Sequence, residues 1–187
     1  MRVITGRYKG LMLRSTPGNQ VRPTQDRVRE SLFSILSDIV SDARVLDLFA
    51  GFGTLGIEAL SRGAQSASFV ERNRGVAALL QSNIDRIGHS ECKVIVAETA
   101  KALRRLSKEG AQFDLVFLDP PYNKGLVERT LEEIARSGVM APDGRIFAEH
   151  ESRLKAIRQV AHLYRYDYRR YGDTGISFFT PFSDEVT

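Results

Sequence analysis

The sequence predicts an α/β domain, a mostly parallel sheet covered by helices on both faces. Three observations carry this. From Arg44 onward, short apolar runs alternate with helical patterns that end at glycines, which is the rhythm of repeated strand–helix units. The runs are nearly continuous in apolar residues, as strands buried on both faces require. One of them, Phe113-Asp114-Leu115-Val116-Phe117-Leu118, runs into Asp119-Pro120-Pro121-Tyr122. Pro120 lacks an N–H and forces the residue before it toward extended geometry, so the strand must stop there. A carboxylate, a carbonyl and a flat ring are thus presented at the carboxyl end of a strand, the edge where open α/β sheets bind ligands.

Taken in order, Arg2-Val3-Ile4-Thr5 and Leu11-Met12-Leu13-Arg14 read as two short strands around a turn from Gly6 to Gly10. Such a hairpin has no core of its own and must lean on the main domain or on a partner. Pro17-Gly18-Asn19 is a loop. Thr24 is placed as a helix N-cap, with Asp26 in the first turn. Val28, Leu32, Ile35, Leu36 and Ile39 then form one apolar stripe, with Arg27 and Arg29 outside it. Strands are expected over 44–49, 67–71, 93–96, 113–118 and 144–148, and helices over 54–62, 73–86, 99–107 and 126–136. The tail differs. Residues 163–170 and 174–182 flank Gly172-Asp173 and read as an antiparallel hairpin. No linker, repeat or low-complexity tract divides the chain. Residues 1–187 are expected to form a single domain, with 1–22 as a basic hairpin extension and 23–187 as the core.

Composition narrows the function classes. At 187 residues with 42% hydrophobic content, the chain can bury a sizeable core. No apolar run approaches the roughly 20 residues that cross a bilayer, and residues 1–7 lack an apolar signal region. A lone Cys92 excludes an internal disulfide framework and fits a cytoplasmic protein. His89, His150 and His162 are scattered and give no metal-ligand spacing, so no metal is expected. The net charge of +4 is unevenly placed. Arg2, Arg7, Lys9, Arg14, Arg22, Arg27 and Arg29 face only Asp26 and Glu30 within the first 30 residues. A second cluster comprises Arg153, Lys155, Arg158, Arg165, Arg169 and Arg170. Two basic ends around a neutral middle suit a polyanionic partner, and solvated faces would look the same.

Gly51-Phe52-Gly53-Thr54-Leu55-Gly56 lies between a strand and a helix, and Glu71 follows Gly51 by 20 residues. This is the spacing of a nucleotide-binding turn. Glycines admit the backbone to the ligand, and the acid accepts from ribose hydroxyls. A tight strand-to-helix turn needs glycine in any case. Asp47 adds information, because a carboxylate there would repel a pyrophosphate but suits a cationic, amino-acid-bearing ligand. That moves the expectation from a nicotinamide cofactor to S-adenosyl-L-methionine. Asp119 and the Pro120 carbonyl can accept both N–H bonds of a base amine, and Tyr122 can stack on the base. No nucleophile is required, and Cys92 reads as a small buried hydrophobe.

The segment Asp47 to Ala59, with Asp119-Pro120-Pro121-Tyr122, resembles the class I S-adenosylmethionine-dependent amino-methyltransferases. Arg22-Pro23-Thr24-Gln25-Asp26-Arg27-Val28-Arg29-Glu30-Ser31-Leu32-Phe33, behind a basic hairpin, narrows the resemblance to the RsmD-type 16S rRNA guanine-N2 methyltransferases. The resemblance implies a Rossmann-like sheet of seven strands with an antiparallel last strand. It implies a guanine of 16S rRNA, within the small ribosomal subunit, as substrate. It also places Asp47, Ala50, Gly51 and Gly53 at the methionine part of the cofactor, and Glu71 and Arg72 at the ribose. Glu98 and Thr99 fall near the adenine, and Asp119, Pro120 and Tyr122 at the reacting amine. The RNA would meet Arg2, Arg7, Lys9, Arg14, Arg22 and Lys124, as well as Thr24 and Arg27, which would border the pocket. Two residues depart from the family pattern. Phe52 stands where a small hydroxyl residue is usual, and Glu98 where aspartate is usual.

Other readings stay open on sequence alone. DNA adenine N6 is an alternative acceptor, since Asp-Pro-Pro-Tyr also serves there, although 187 residues leave no obvious target-recognition domain. A nucleotide- or RNA-binding module that has lost catalysis is another, supported only by Phe52 and Glu98. For the methyltransferase reading a monomer is expected.

Overall fold

The computed structural model describes residues 1–16, 23–121, 125–152 and 157–181, and of residues 23–27 only the backbone. Its centre is an eight-stranded sheet in the order β3-β2-β1-β4-β5-β8-β7-β6. The parallel part comprises β1 (Arg44–Asp47), β2 (Ser66–Glu71), β3 (Cys92–Val96), β4 (Phe113–Leu118) and β5 (Met140–Glu151). The tail hairpin continues it through β6 (Gln159–Val160), β7 (Leu163–Tyr171) and β8 (Thr174–Pro181). The last strand, β8, enters between β5 and β7 and is antiparallel to both. Strand order reverses between β1 and β4, where Asp47 pairs with Phe117. That switch point opens a crevice at the carboxyl edge of the sheet.

The pleat sends alternate residues to opposite faces. Val45, Phe69, Leu115, Phe117, Phe147 and Phe178 pack beneath α1 (Pro23–Ile35), α3 (Thr54–Ser61) and α4 (Arg74–Ile87). Leu46, Val70, Ile95, Val116, Leu118 and Ile146 pack beneath α5 (Thr99–Lys108) and α6 (Leu126–Ser137). A row of tilted and edge-on rings crosses the first face. Phe33, Phe117, Phe147 and Phe178 have successive centroids 5.7, 6.0 and 5.8 Å apart.

Several expectations need correction. The sheet has eight strands, not seven, because Gln159 and Val160 pair with Tyr164 and Leu163 as a short edge strand. β5 starts at Met140, four residues ahead of the expected 144. Residue 182, expected in the last strand, lies outside the described residues. The first helix starts at Pro23, whose fixed φ suits a first helical position, so Thr24 lies inside the first turn and not at the cap. Its inner face carries Phe33, fully buried, and Arg29, 6% exposed, while Ile35 is 41% and Ile39 39% exposed. Arg29 is tolerated inside because its guanidinium donates to the Arg2 carbonyl at 2.7 Å. A one-turn helix, α2 (Ser37–Val40), follows it.

The N-terminal hairpin is looser than expected. One antiparallel bridge, Arg2 with Met12, replaces two regular strands. The amides of Ile4 and Thr5 turn instead to the Glu58 carboxylate, at 2.7 and 3.0 Å. The amide of Tyr8 reaches the Ser61 hydroxyl at 2.9 Å. The segment leans on α3 and α4, as its lack of a core requires. Among the described residues no helix is long and apolar enough to cross a membrane, and no group of acidic, His or Cys side chains could hold a metal ion.

Candidate active site

The turn after β1 is built by its glycines. Gly51 has φ +53° and Gly53 φ +87°, a backbone region that side chains disfavour. A Cβ on Gly53 would come within 2.6 Å of Leu80, and one on Gly56 within 2.2 Å of the Phe69 ring. Gly56 lets α3 sit close on β2, and Gly53 lets the turn sit close on α4. A Cβ on Gly51 would meet nothing within 4 Å, so its bare backbone borders open space. Asp47, 1% exposed, lies beneath the turn. Its Oδ2 accepts the Gly56 N–H at 3.1 Å, and its Oδ1 has no hydrogen-bond partner. Burial pushes its carboxyl up to about 7, against the pull of the Gly56 and Phe49 amides.

Glu71 ends β2 with both carboxylate oxygens engaged. Oε2 accepts the Gly51 N–H at 3.1 Å, and Oε1 the Asn73 N–H at 2.7 Å. Asn73 in turn caps α4 by accepting from the Gly75 and Val76 amides. A cavity of 410 Å³ opens beside this acid, within the usual size range for small-ligand sites. Glu71, Arg72, Glu98, Thr99, Asp119 and Pro121 all line it. Arg72 and Glu98 form an exposed ion pair of 3.9 Å, and the Thr99 hydroxyl donates to the Leu48 carbonyl at 3.3 Å. Asp47, Ala50, Gly51 and Gly53 lie behind the lining, in or under the glycine turn.

β4 ends at Leu118, and Asp119 follows outside the ladder. Asp119 is exposed through the cavity mouth, while Pro120 is buried. The walls of the recess push the Asp119 carboxyl well above its ordinary range, and the charges of Glu149 and Asp47 add to the rise. Solvent entering the mouth screens part of that shift; its direction stands on three acids gathered at one edge. Arg22, Tyr122 and Lys124 lie outside the described residues, and Thr24 and Arg27 are placed by backbone alone, in the first turns of α1.

The family model described as Conserved hypothetical protein 95 matches residues 1–180. The chain belongs to that family, the RsmD-type methyltransferases. The YlbH protein of Bacillus subtilis, provisionally named an rRNA methyltransferase, is 36% identical over 180 residues, 96% of this chain and 98% of its own. Ribosomal RNA small subunit methyltransferase D of Escherichia coli K12 is 37% identical over 151 residues, 81% of this chain and 75% of its own. The solved structure of the Escherichia coli protein yhhF, provisionally named a methyltransferase, matches with TM-score 0.86 at 32% identity, over 97% of both chains.

In this RsmD-family methyltransferase the basic N-terminal residues are not all close to the cavity. Arg7 and Lys9 are exposed near the far end of α3, where the Arg7 amide donates to the Ser61 carbonyl at 2.7 Å. Arg14 is nearer the glycine turn. Its backbone N–H and C=O both bond the buried Asn83 side chain, at 2.7 and 3.0 Å, and Asn83 also donates to the Phe52 carbonyl at 3.0 Å. Arg2 is exposed on the bridge strand, with its carbonyl held by Arg29.

Sequence reasoning missed Glu58 and Asn83, the buried anchors of the N-terminal segment, and Glu149, the neighbour of Asp119. Each carried a readable signal. Glu58 interrupts the apolar run Ile57-Glu58-Ala59-Leu60, and Asn83 falls on the inner stripe of α4 with Leu80 and Ile87. Glu149 follows the strand expected over 144–148 just as Asp119 follows the one expected over 113–118. The α6 residues Arg129, Thr130 and Glu133, which complete the cavity wall, gave none. Phe52, which departs from the family pattern, is 7% exposed and turned into the protein. Cys92 is half-buried against the core, and burial pushes its thiol up to about 11.

Proposed function

We propose that this chain transfers the methyl group of S-adenosyl-L-methionine to the exocyclic N2 amine of a guanine in 16S rRNA of the small ribosomal subunit. The observation that carries this reading is the position of Asp119. It stands at the carboxyl end of β4, on the rim of the cavity that also holds Glu71 and Thr99. The small-subunit rRNA methyltransferase name of the Escherichia coli relative favours RNA over DNA as the substrate.

The residues present fit the cofactor. The orphaned Asp47 Oδ1 is a buried acceptor without a donor, suited to the cationic amino-acid end of the ligand. The Glu71 oxygens, each held by one backbone amide, keep lone pairs for ribose hydroxyls. Thr99 and the α6 wall close the far side of the cavity, where the adenine would lie. When bound, the sulfonium supplies an electrophilic methyl carbon. The chain's own part is placement. The Asp119 carboxylate and the Pro120 carbonyl accept the two N–H bonds of the amine. They turn its lone pair out of the ring, and Asp119 offsets the positive charge that develops on nitrogen. The raised affinity of Asp119 for protons suits it to take the proton that nitrogen then sheds. Tyr122, next in sequence, would stack on the base.

The same reading treats residues 1–187 as one cytoplasmic domain that acts as a monomer without a metal, with 1–22 as its basic RNA-binding extension. Incubation with methyl-labelled cofactor and small subunits from a strain lacking its own enzyme tests it. Label in a guanine of 16S rRNA is the expected result.

A further inference from the structure

The structure divides the second basic cluster of the sequence. Arg165 is half-buried, with its guanidinium 5.4 Å over the Tyr168 ring, and its N–H donates to the Arg158 carbonyl at 2.8 Å. Arg169 and Arg170 are exposed at the other end of β7. β7 and β5 are both antiparallel to β8, so that end lies at the carboxyl edge of the sheet, where Asp119 follows β4. The registers fix its height. β4 ends where Leu118 pairs with Ala148, while β5 runs on to Glu151. His150 pairs with Gly175, and Gly175 with Arg170; Glu151 pairs with Thr174, and Thr174 with Tyr171. The end of the tail hairpin is therefore a ledge that stands beyond the end of β4. It lies three strand spacings to the side, roughly 15 Å.

The ledge is held on two sides. The Ser152 N–H donates to the Asp173 carbonyl at 2.7 Å and its hydroxyl to the Gly172 carbonyl at 3.2 Å, which ties the tip to the end of β5. The Tyr171 and Ser31 hydroxyls share a hydrogen bond, which ties it to α1. Neither tie uses an arginine side chain. Arg169 pairs with Ile176 and points to the α1 face, and Arg170, next in the strand, points to the other, so two guanidinium groups straddle the strand. Arg169 holds Asp167 in an exposed ion pair of 2.9 Å, a contact that contributes little and can be exchanged for a phosphate. Arg170 donates from Nε to the Gly172 carbonyl at 2.9 Å, which aims its fork and leaves its outer N–H groups for an oxyanion. Arg7 and Lys9, by contrast, lie near the far end of α3, away from this edge. An RNA that extrudes a base toward Asp119 has to be held beside that base, and phosphate contacts do the positioning. We infer that Arg169 and Arg170 bind backbone phosphates of the RNA next to the target nucleotide, which makes the tail hairpin a second RNA contact, on the edge that carries Asp119. The inference rests on the proposed rRNA methylation and adds where the strand is gripped.

The test compares the double variant Arg169→Gln, Arg170→Gln with Arg104→Gln, Arg105→Gln, which removes the same charge from the exposed face of α5. The second pair is a matched control, because Arg105 also holds an exposed ion pair, with Glu109 at 2.7 Å. Binding to unmethylated small subunits is measured over a salt series, together with kcat/KM for methyl transfer to them. The hairpin variant is expected to lose at least about tenfold in kcat/KM, and its slope of log affinity against log salt to shrink by roughly one to two, while the α5 variant stays near wild type in both. Arg169→Lys, Arg170→Lys, which keeps the charges, should restore most of the slope. Cofactor affinity should be unchanged in all of them, since the ledge lies outside the cavity lining. An unaltered slope in the hairpin variant, or equal losses in the two Gln pairs, with the wild type still methylating the subunit, would overturn the inference and leave the methylation reading standing. No methyl transfer by the wild type to the RNA of the subunit would overturn both.

Discussion

The Gly51 backbone N–H donates to Oε2 of Glu71 at 3.1 Å, which ties the glycine turn to the acid at the end of the neighbouring strand. Since Asn73 N–H holds the other oxygen at 2.7 Å, the carboxylate is oriented before any ligand arrives. Glu71→Ala removes both the proposed ribose acceptor and the clamp on the turn. It should weaken cofactor binding roughly 10- to 100-fold by calorimetry while leaving RNA affinity within a factor of two or so. Unchanged cofactor affinity would contradict the ribose contact.

Asp119→Ala should separate catalysis from binding. Asp119 lies on the cavity rim, so its loss should lower kcat about a hundredfold or more and leave cofactor affinity nearly intact. Single-turnover methyl transfer and calorimetry on the same protein check this pair of outcomes. Retained turnover would remove Asp119 from the mechanism.

Asp47 makes stability depend on pH with a definite sign. Its carboxyl is raised from 3.8 to about 7 in the folded protein. Below the lower value both states hold the proton and the contribution to stability is complete. As pH rises toward 7 the unfolded state releases the proton while the folded state keeps it, so stability falls through that window. Asp47→Asn, which has no charge to bury, should flatten this part of the Tm–pH curve. A wild-type-minus-variant difference that does not change with pH would refute the buried-acid assignment.

Glu58 is fully buried and accepts from Ile4, Thr5 and the Arg62 guanidinium. Glu58→Ala leaves those donors unsatisfied and should cost about 2–4 kcal/mol in denaturant unfolding. The first residues should also become sensitive to protease. Wild-type cleavage rates in a destabilised variant would show that the N-terminal segment is held elsewhere.

Replacing Arg7 and Lys9 tests whether the exposed tip of the hairpin reaches RNA. If each neutralises one phosphate, the double variant should reduce the slope of log affinity against log salt by roughly one to two. An unaltered slope would leave the RNA path to Arg2 and Arg14, nearer the glycine turn.

Much of the fold was legible because its signals are local. Continuous apolar runs ended by glycine and proline marked β1 to β5, and Gly172-Asp173 marked the tail hairpin. The chemistry-bearing turns were equally local, so Glu71, Thr99 and Asp119 could be assigned to one edge and do line one cavity. What escaped depends on distant contacts. Arg29 is buried because the Arg2 carbonyl, 27 residues away, receives it. The N-terminal strands gave way because Glu58, more than 50 positions on, competes for their amides. Glu149 was hidden for the same reason, since only the pairing of β4 with β5 brings its charge near Asp119.

The most direct measurement is the identity of the methylated nucleoside after wild-type enzyme has labelled unmodified small subunits. Digestion of the 16S rRNA and chromatography should place the label in N2-methylguanosine, and Asp119→Ala should abolish it. Label in N6-methyladenosine, or label that appears in duplex DNA and not in the subunit, would contradict the assignment of these residues to a guanine amine.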